Sequence, residues 1–208
     1  MTDIIKIPNV KTYRNIRIGD KLILGSKDKN IREVDYILDL FPKGYFNDKV
    51  VLDIGCAGGA LCFGLAEEAK KVVGLEVKGD RIKAARLVQE RFNVDNVEFL
   101  DSNVTEWLQQ DSIKNIDCVF LLNVLHHVEN PKKVLKKMSK YVKMICVEHL
   151  LTKYSRLGAE HAIAPDELIQ LMEEAGFSLK QQKLSDNPLI GSWEHGDRNL
   201  FVFERSNE

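Results

Sequence analysis

Two hydrophobic rhythms run along this chain. Apolar-rich runs occur at residues 50–54, 72–76, 97–100, 117–122, 143–148 and 199–205, each the length of a strand, and a further strand is expected over 178–184. Between them the apolar positions fall at helical spacing. In 31–41 they sit at 31, 34, 37, 38 and 41, and Pro42 ends the pattern. Further helices are expected over 59–69, 79–92, a short stretch near 104–110, 131–141 and 165–175. Pro165 stands in a first turn and Gly176 just past an end, while Asn130-Pro131 opens the helix before. Strands alternating with helices predict a parallel sheet covered on both faces. The last two strands have no helix between them and should pair antiparallel. The pattern therefore predicts an α/β, Rossmann-like, doubly wound seven-stranded sheet, mostly parallel with an antiparallel C-terminal strand. The whole of 1–208 reads as one domain, with 1–30 as a cap or lid on a core of 31–208.

The chemistry concentrates where the first core strand ends. Val50, Val51, Leu52 and Ile54 lead into Asp53-x-Gly55-x-Ala57-x-Gly59, and a helix follows at once. Glycines there let the backbone turn sharply and come close to a ligand. The helix start behind them supplies amide donors. A second strand ends in Glu76, about twenty residues on, where a carboxylate accepts hydrogen bonds from ribose hydroxyls. The dinucleotide fingerprint would require glycine where Ala57 stands.

Four segments together resemble the class I S-adenosylmethionine-dependent methyltransferases. They are the Asp53–Gly59 turn, the strand ending in Glu76, Val97-Glu-Phe-Leu-Asp-Ser-Asn-Val104, and Val119-Phe-Leu-Leu-Asn-Val-Leu-His-His-Val-Glu-Asn-Pro131. The resemblance covers about residues 50–140 and implies S-adenosyl-L-methionine as cofactor. It implies that Asp53, Gly55, Cys56, Ala57, Gly59, Glu76, Val77, Asn103, Val104 and Asn123 bind it. The adenine contact falls to Asn103 or Asp101, with Asn103 favoured and the backbone N–H of Val104 reaching a ring nitrogen. Asn123 lies beside the transferred methyl group. His127 matches a histidine that packs under the cofactor or faces the substrate. A more distant likeness is to methyltransferases of the tRNA wobble-uridine oxyacetic acid pathway, some of which use a carboxylated cofactor. It is carried by YRNIRIGDKLILG, VLDIGC, VFLLNVLHHVENP and VEHL, although His126 replaces that group's tyrosine.

Composition narrows the field without redirecting it. A net charge of −1 removes any global drive toward nucleic acid. The exception is the helix from 131, with Lys132, Lys133, Lys136, Lys137, Lys140 and Lys143, which reads first as a solvated amphipathic face and second as a polyanion contact. No apolar run is long enough to span a membrane and no secretory core opens the chain, so a cytoplasmic protein is expected. Cys56, Cys62, Cys118 and Cys146 form no C-x-x-C pair, and read as reduced core residues, with no metal site.

Substrate recognition belongs to segments outside the bare cofactor fold. These are 1–30 with Tyr13, Arg14 and Arg17; 150–164 with Tyr154, Arg156, Glu160 and His161; and 185–198 with Trp193, Glu194, His195 and Arg198. A base is required only if the acceptor must lose a proton. His127, Glu148 and His161 are the principal candidates, with His126 and His149 beside them. The expected partner is a small-molecule acceptor. A tRNA is the alternative within enzymes, and a silent cofactor-binding partner protein or a nicotinamide dehydrogenase are the alternatives outside the methyltransferase reading.

Overall fold

The described residues form a seven-stranded sheet and a three-stranded sheet. The computed structural model describes residues 3–7, 10, 12, 14–24, 34–150, 163–184 and 198–206. They fall into two compact units, Met1–Asn103 and Val104–Glu208.

The first unit opens with three strands that the periodicity did not predict: β1 (Asp3–Ile5), β2 (Ile16–Ile18) and β3 (Lys21–Ile23). Three residues are too few to display an alternation. β2 and β3 form an antiparallel hairpin whose turn uses Gly19 at φ 55°, and β1 joins β3 in parallel. Helix α1 (Asp35–Leu38) is shorter than the helix expected over 31–41, whose first three residues lie outside the described set. Pro42 disfavours helical backbone at Phe41. There the chain turns into an aromatic cluster of Phe41, Tyr45 and Phe46, with ring centroids within 5.0 Å of one another.

The core of this unit follows the prediction closely. It comprises β4 (Val50–Ile54), α2 (Ala60–Ala66), β5 (Lys71–Glu76), α3 (Gly79–Phe92) and β6 (Val97–Asp101). All three strands run parallel, with Asp53 beside Gly74 and Glu76 beside Asp101. α2 ends short of residue 69 because the Asn96 side-chain amide donates to the carbonyls of Ala66 and Ala69, at 2.8 and 3.0 Å, and closes the helix end. α3 ends where Asn93 takes the left-handed conformation.

The second unit contains α4 (Val104–Trp107), β7 (Cys118–Leu122), α5 (Pro131–Met138), β8 (Met144–Leu150), α6 (Pro165–Glu174), β9 (Phe177–Leu184) and β10 (Arg198–Arg205). β7 and β8 are parallel, and β10 lies antiparallel between β8 and β9, as the missing helix implied. α5 stops at Met138, three residues early. The Arg205 guanidinium on β10 binds the carbonyls of Ser139 and Val142 there. Among the described residues no helix is long and apolar enough to cross a membrane. All four cysteines are buried and free.

Gly74 sits at a tightly packed point of the first unit. A Cβ there would lie 2.9 Å from Cys56 Sγ and 3.0 Å from both Cys62 Sγ and Phe99 Cδ1. Overpacking of this kind costs about 1–3 kcal/mol. Gly74→Ala is therefore expected to lower the unfolding free energy by that amount in urea titration.

Candidate functional site

The turn after β4 is held amide by amide. Gly55 N and Cys56 N both donate to the Leu75 carbonyl, at 2.8 and 3.0 Å, and Ala57 N donates to Glu76 Oε2 at 3.1 Å. Gly55 and Gly59 take φ of 76° and 83°, and Ala57 takes 50°. For an alanine that conformation costs about 1–2 kcal/mol, against which the carboxylate bond counts. Gly59 also admits the Phe99 ring, since a Cβ would stand 2.7 Å from Phe99 Cζ. Buried Thr12 packs its methyl over Gly58, 3.0 Å from where a Cβ would be, so the N-terminal segment seats directly on the glycine turn.

Glu76, at the C-terminal tip of β5, is 5% exposed. Its Oε1 accepts from Val77 N at 2.9 Å and Lys78 N at 3.0 Å. Its Oε2 accepts from Ala57 N and from Arg81 Nη1 at 3.2 Å. The carboxylate thus binds the glycine turn and the two amides that lead into α3 together, where the helix dipole favours negative charge. Val77, the next residue, leaves its side chain 62% exposed. At the next strand tip, the Asp101 carboxylate faces the start of α3, with Oδ2 3.0 Å from where a Cβ on Gly79 would stand, while Asn103 is half-buried.

Asp53 is also buried, but with a different retinue. The Cys62 thiol donates to its Oδ2 at 3.4 Å. Burial pushes its carboxyl up to about 7; the Cys62 bond and the charge of Arg14 pull against that rise, and Glu76 adds to it. Arg14 donates to Tyr36 Oη at 3.1 Å and lies over the same ring. Sequence reasoning placed Arg14 among the acceptor contacts and missed its influence on Asp53. It also missed Arg81, whose only signal was its place in the first turn of α3.

In the second unit, Val104 is buried at the start of α4. Asn123 takes a left-handed φ of 55°, and its N–H donates to the Glu148 carbonyl at 3.0 Å. Its side-chain Oδ1 is buried without a hydrogen-bond partner among the described residues. A 3₁₀ turn over Leu125–His127 buries His126 and exposes His127, with the two rings 4.0 Å apart. Glu148 is fully buried, and burial together with its charge pushes the Cys146 thiol up. Buried His149 donates through Nε2 to the Ile163 carbonyl at 2.7 Å, which straps β8 to the entry of α6. His161 lies outside the described residues, as do Tyr13, Tyr154, Arg156, Glu160, Trp193, Glu194 and His195.

A family model described as a methyltransferase domain matches residues 46–185. The chain is 29% identical to the ubiquinone biosynthesis O-methyltransferase of Acinetobacter baylyi over 164 residues, 68% of each protein. It is 32% identical to the protein of that name from Acinetobacter baumannii strain AYE, over 68% of this chain and 69% of the relative. Among solved structures, magnesium protoporphyrin IX methyltransferase from Synechocystis PCC 6803 with bound SAM superimposes with a TM-score of 0.64. The identity is 17%, with coverage of 83% of this chain and 76% of that one. The N-terminal domain of EvdMO1 with SAH bound gives 0.64 and 17%, over 96% and 92%. These two likenesses are of fold.

The raised carboxyl of Asp53 has a thermodynamic consequence. Its ordinary value is 3.8, so folding favours the protonated form. The stability this contributes is complete below about pH 4 and is lost as pH rises toward about 7. Asp53→Asn is expected to flatten that slope and to raise stability on the order of 3 kcal/mol at about pH 8. Urea titrations of both proteins across this range measure it.

Proposed function

The chain belongs to the methyltransferase-domain family, and from that premise we propose that it methylates an oxygen of a small-molecule acceptor in the cytoplasm. S-adenosylmethionine is the cofactor and supplies a methyl group already activated on a sulfonium sulfur. The observation that carries the reading is the buried Glu76 carboxylate, fixed at a strand tip between the glycine turn and the start of a 14-residue helix. The described donor set suits this cofactor. Glu76 offers acceptor oxygens to ribose hydroxyls. Exposed Val77 offers an apolar cover for a base, and the backbone of Val104 and the side chain of Asn103 serve its edge. Asp53 balances the ammonium of the amino-acid end. The buried, unpartnered Oδ1 of Asn123 supports its place beside the methyl group, because a buried acceptor left unmatched is costly.

A neutral hydroxyl acceptor must surrender its proton as the new C–O bond forms and the C–S bond breaks. His127 is the described residue suited to take it, as an exposed imidazole. His161 is the second candidate. Glu148, enclosed completely, serves to position its neighbours. The loops 150–164 and 185–198 carry the acceptor contacts. The choice of oxygen rests on the relatives named as O-methyltransferases. The cytoplasmic assignment rests on four buried free thiols.

A second reading, an RNA acceptor, draws on α5. Lys133, Lys136 and Lys137 fall at i, i+3 and i+4, with Lys140 in the turn beyond the helix, and none of the four has an ion pair among the described residues. Their neighbours Lys132 and Lys143 pair with Glu167 and Asp117. Such a stripe suits a polyanion.

Incubation with methyl-labelled cofactor and a cell extract, then separation of metabolites from RNA, tests the acceptor class. Label is expected in the metabolite fraction, and label in RNA would establish the second reading instead. Glu76→Ala is expected to weaken S-adenosylmethionine binding by about 1–3 kcal/mol in calorimetric titration. Unchanged affinity would remove Glu76 from the site.

A further inference from the structure

Glu76 has no acceptor site to spare. A carboxylate offers about four lone-pair positions, and four donors fill them: the amides of Ala57, Val77 and Lys78, and the Arg81 guanidinium. A ribose hydroxyl therefore reaches this carboxylate only by displacing one of them. The amides of Val77 and of Lys78, the N-cap of α3, are main-chain donors fixed by the turn between β5 and α3, and losing their acceptor would leave both unsatisfied. The Ala57 amide belongs to a turn whose two preceding amides are fixed on Leu75. Arg81 is the one side chain of the four. It is 36% exposed, and Glu76 is its ion-pair partner. Its guanidinium is already partly hydrated and leaves by rotamer change alone.

Resting on the reading that Glu76 receives the ribose, we propose that Arg81 is an internal competitor for that site. Its Nη1 occupies the position on Glu76 Oε2 that a ribose hydroxyl takes, and cofactor binding moves the guanidinium out to solvent. Arg81 thereby sets cofactor affinity and answers specifically to the ribose hydroxyls. A half-exposed ion pair shifts an equilibrium by a few-fold, which fixes the size of the effect.

The test is calorimetric titration of the wild-type chain, Arg81→Met and Arg81→Lys with S-adenosylhomocysteine. Adenosine and its 2′,3′-dideoxy analogue are then used as displacing ligands. Arg81→Met is expected to bind S-adenosylhomocysteine about two- to five-fold more tightly. Adenosine should share the gain and the dideoxy analogue should not. Arg81→Lys keeps a competing cation and should stay near wild type, which also controls for folding. Added salt screens the ion pair, so it should tighten wild-type binding and leave Arg81→Met unmoved. Equal or weaker binding by Arg81→Met, or an equal gain with the dideoxy ligand, overturns the inference while leaving the cofactor assignment intact. Failure of all three proteins to bind S-adenosylhomocysteine overturns both.

Discussion

One buried carboxylate organises the first unit. The amides that leave β4 and those that enter α3 are separated by about twenty residues of sequence, yet both converge on Glu76. Neither set has another acceptor at hand. The Ala57 amide lies in a turn of positive φ, and the amides of Val77 and Lys78 lead into a helix. Burying a carboxylate is unfavourable unless donors surround it, and burying orphan amides is unfavourable unless an acceptor meets them. Each cost offsets the other. The glycine turn is consequently shaped by its neighbour strand as much as by its own glycines.

Asp53 shows what the same unit does with a carboxyl that is not surrounded. It sits one strand over, equally buried, with a thiol as its hydrogen-bond donor and a guanidinium acting through its charge. Desolvation then dominates and holds its proton up to about 7. Two acids within one unit thus have opposed environments, one saturated with donors and the other starved of them. The starved one gains most from a cationic group brought near, since such a group repays the desolvation that folding imposed. That asymmetry matches a ligand with a neutral diol at one end and an ammonium at the other.

The parts of this architecture that were legible in the sequence are those whose cause is local. β4 announces itself through Val50 to Ile54, α3 through its spacing from Gly79 to Phe92, and α6 through Pro165 and Gly176. The antiparallel tail follows from a missing helix. What escaped was decided by distant partners. α2 ends where Asn96 caps it from thirty residues away, and α5 ends under Arg205. The small sheet of β1 to β3 has strands too short to show a period. Glu76 was legible as a carboxylate at a strand tip, but its saturation was not, because three of its four donors are backbone amides and carry no sequence signal.

That last point separates two ways of building a site. Around Glu76 the donors are main-chain groups placed by turn geometry, so most side chains there are replaceable without moving a hydrogen bond. Arg81 is the exception, as a side chain inserted into a backbone-built site. In the second unit the relation is reversed. The Asn123 backbone is tied to β8 through the Glu148 carbonyl, while its side-chain oxygen is left unmatched, and His127 is carried outward by a tight turn over a buried His126. There the frame is main chain and the chemistry is side chain. A cofactor common to a whole family suits the first arrangement, and an acceptor that differs from one member to the next suits the second.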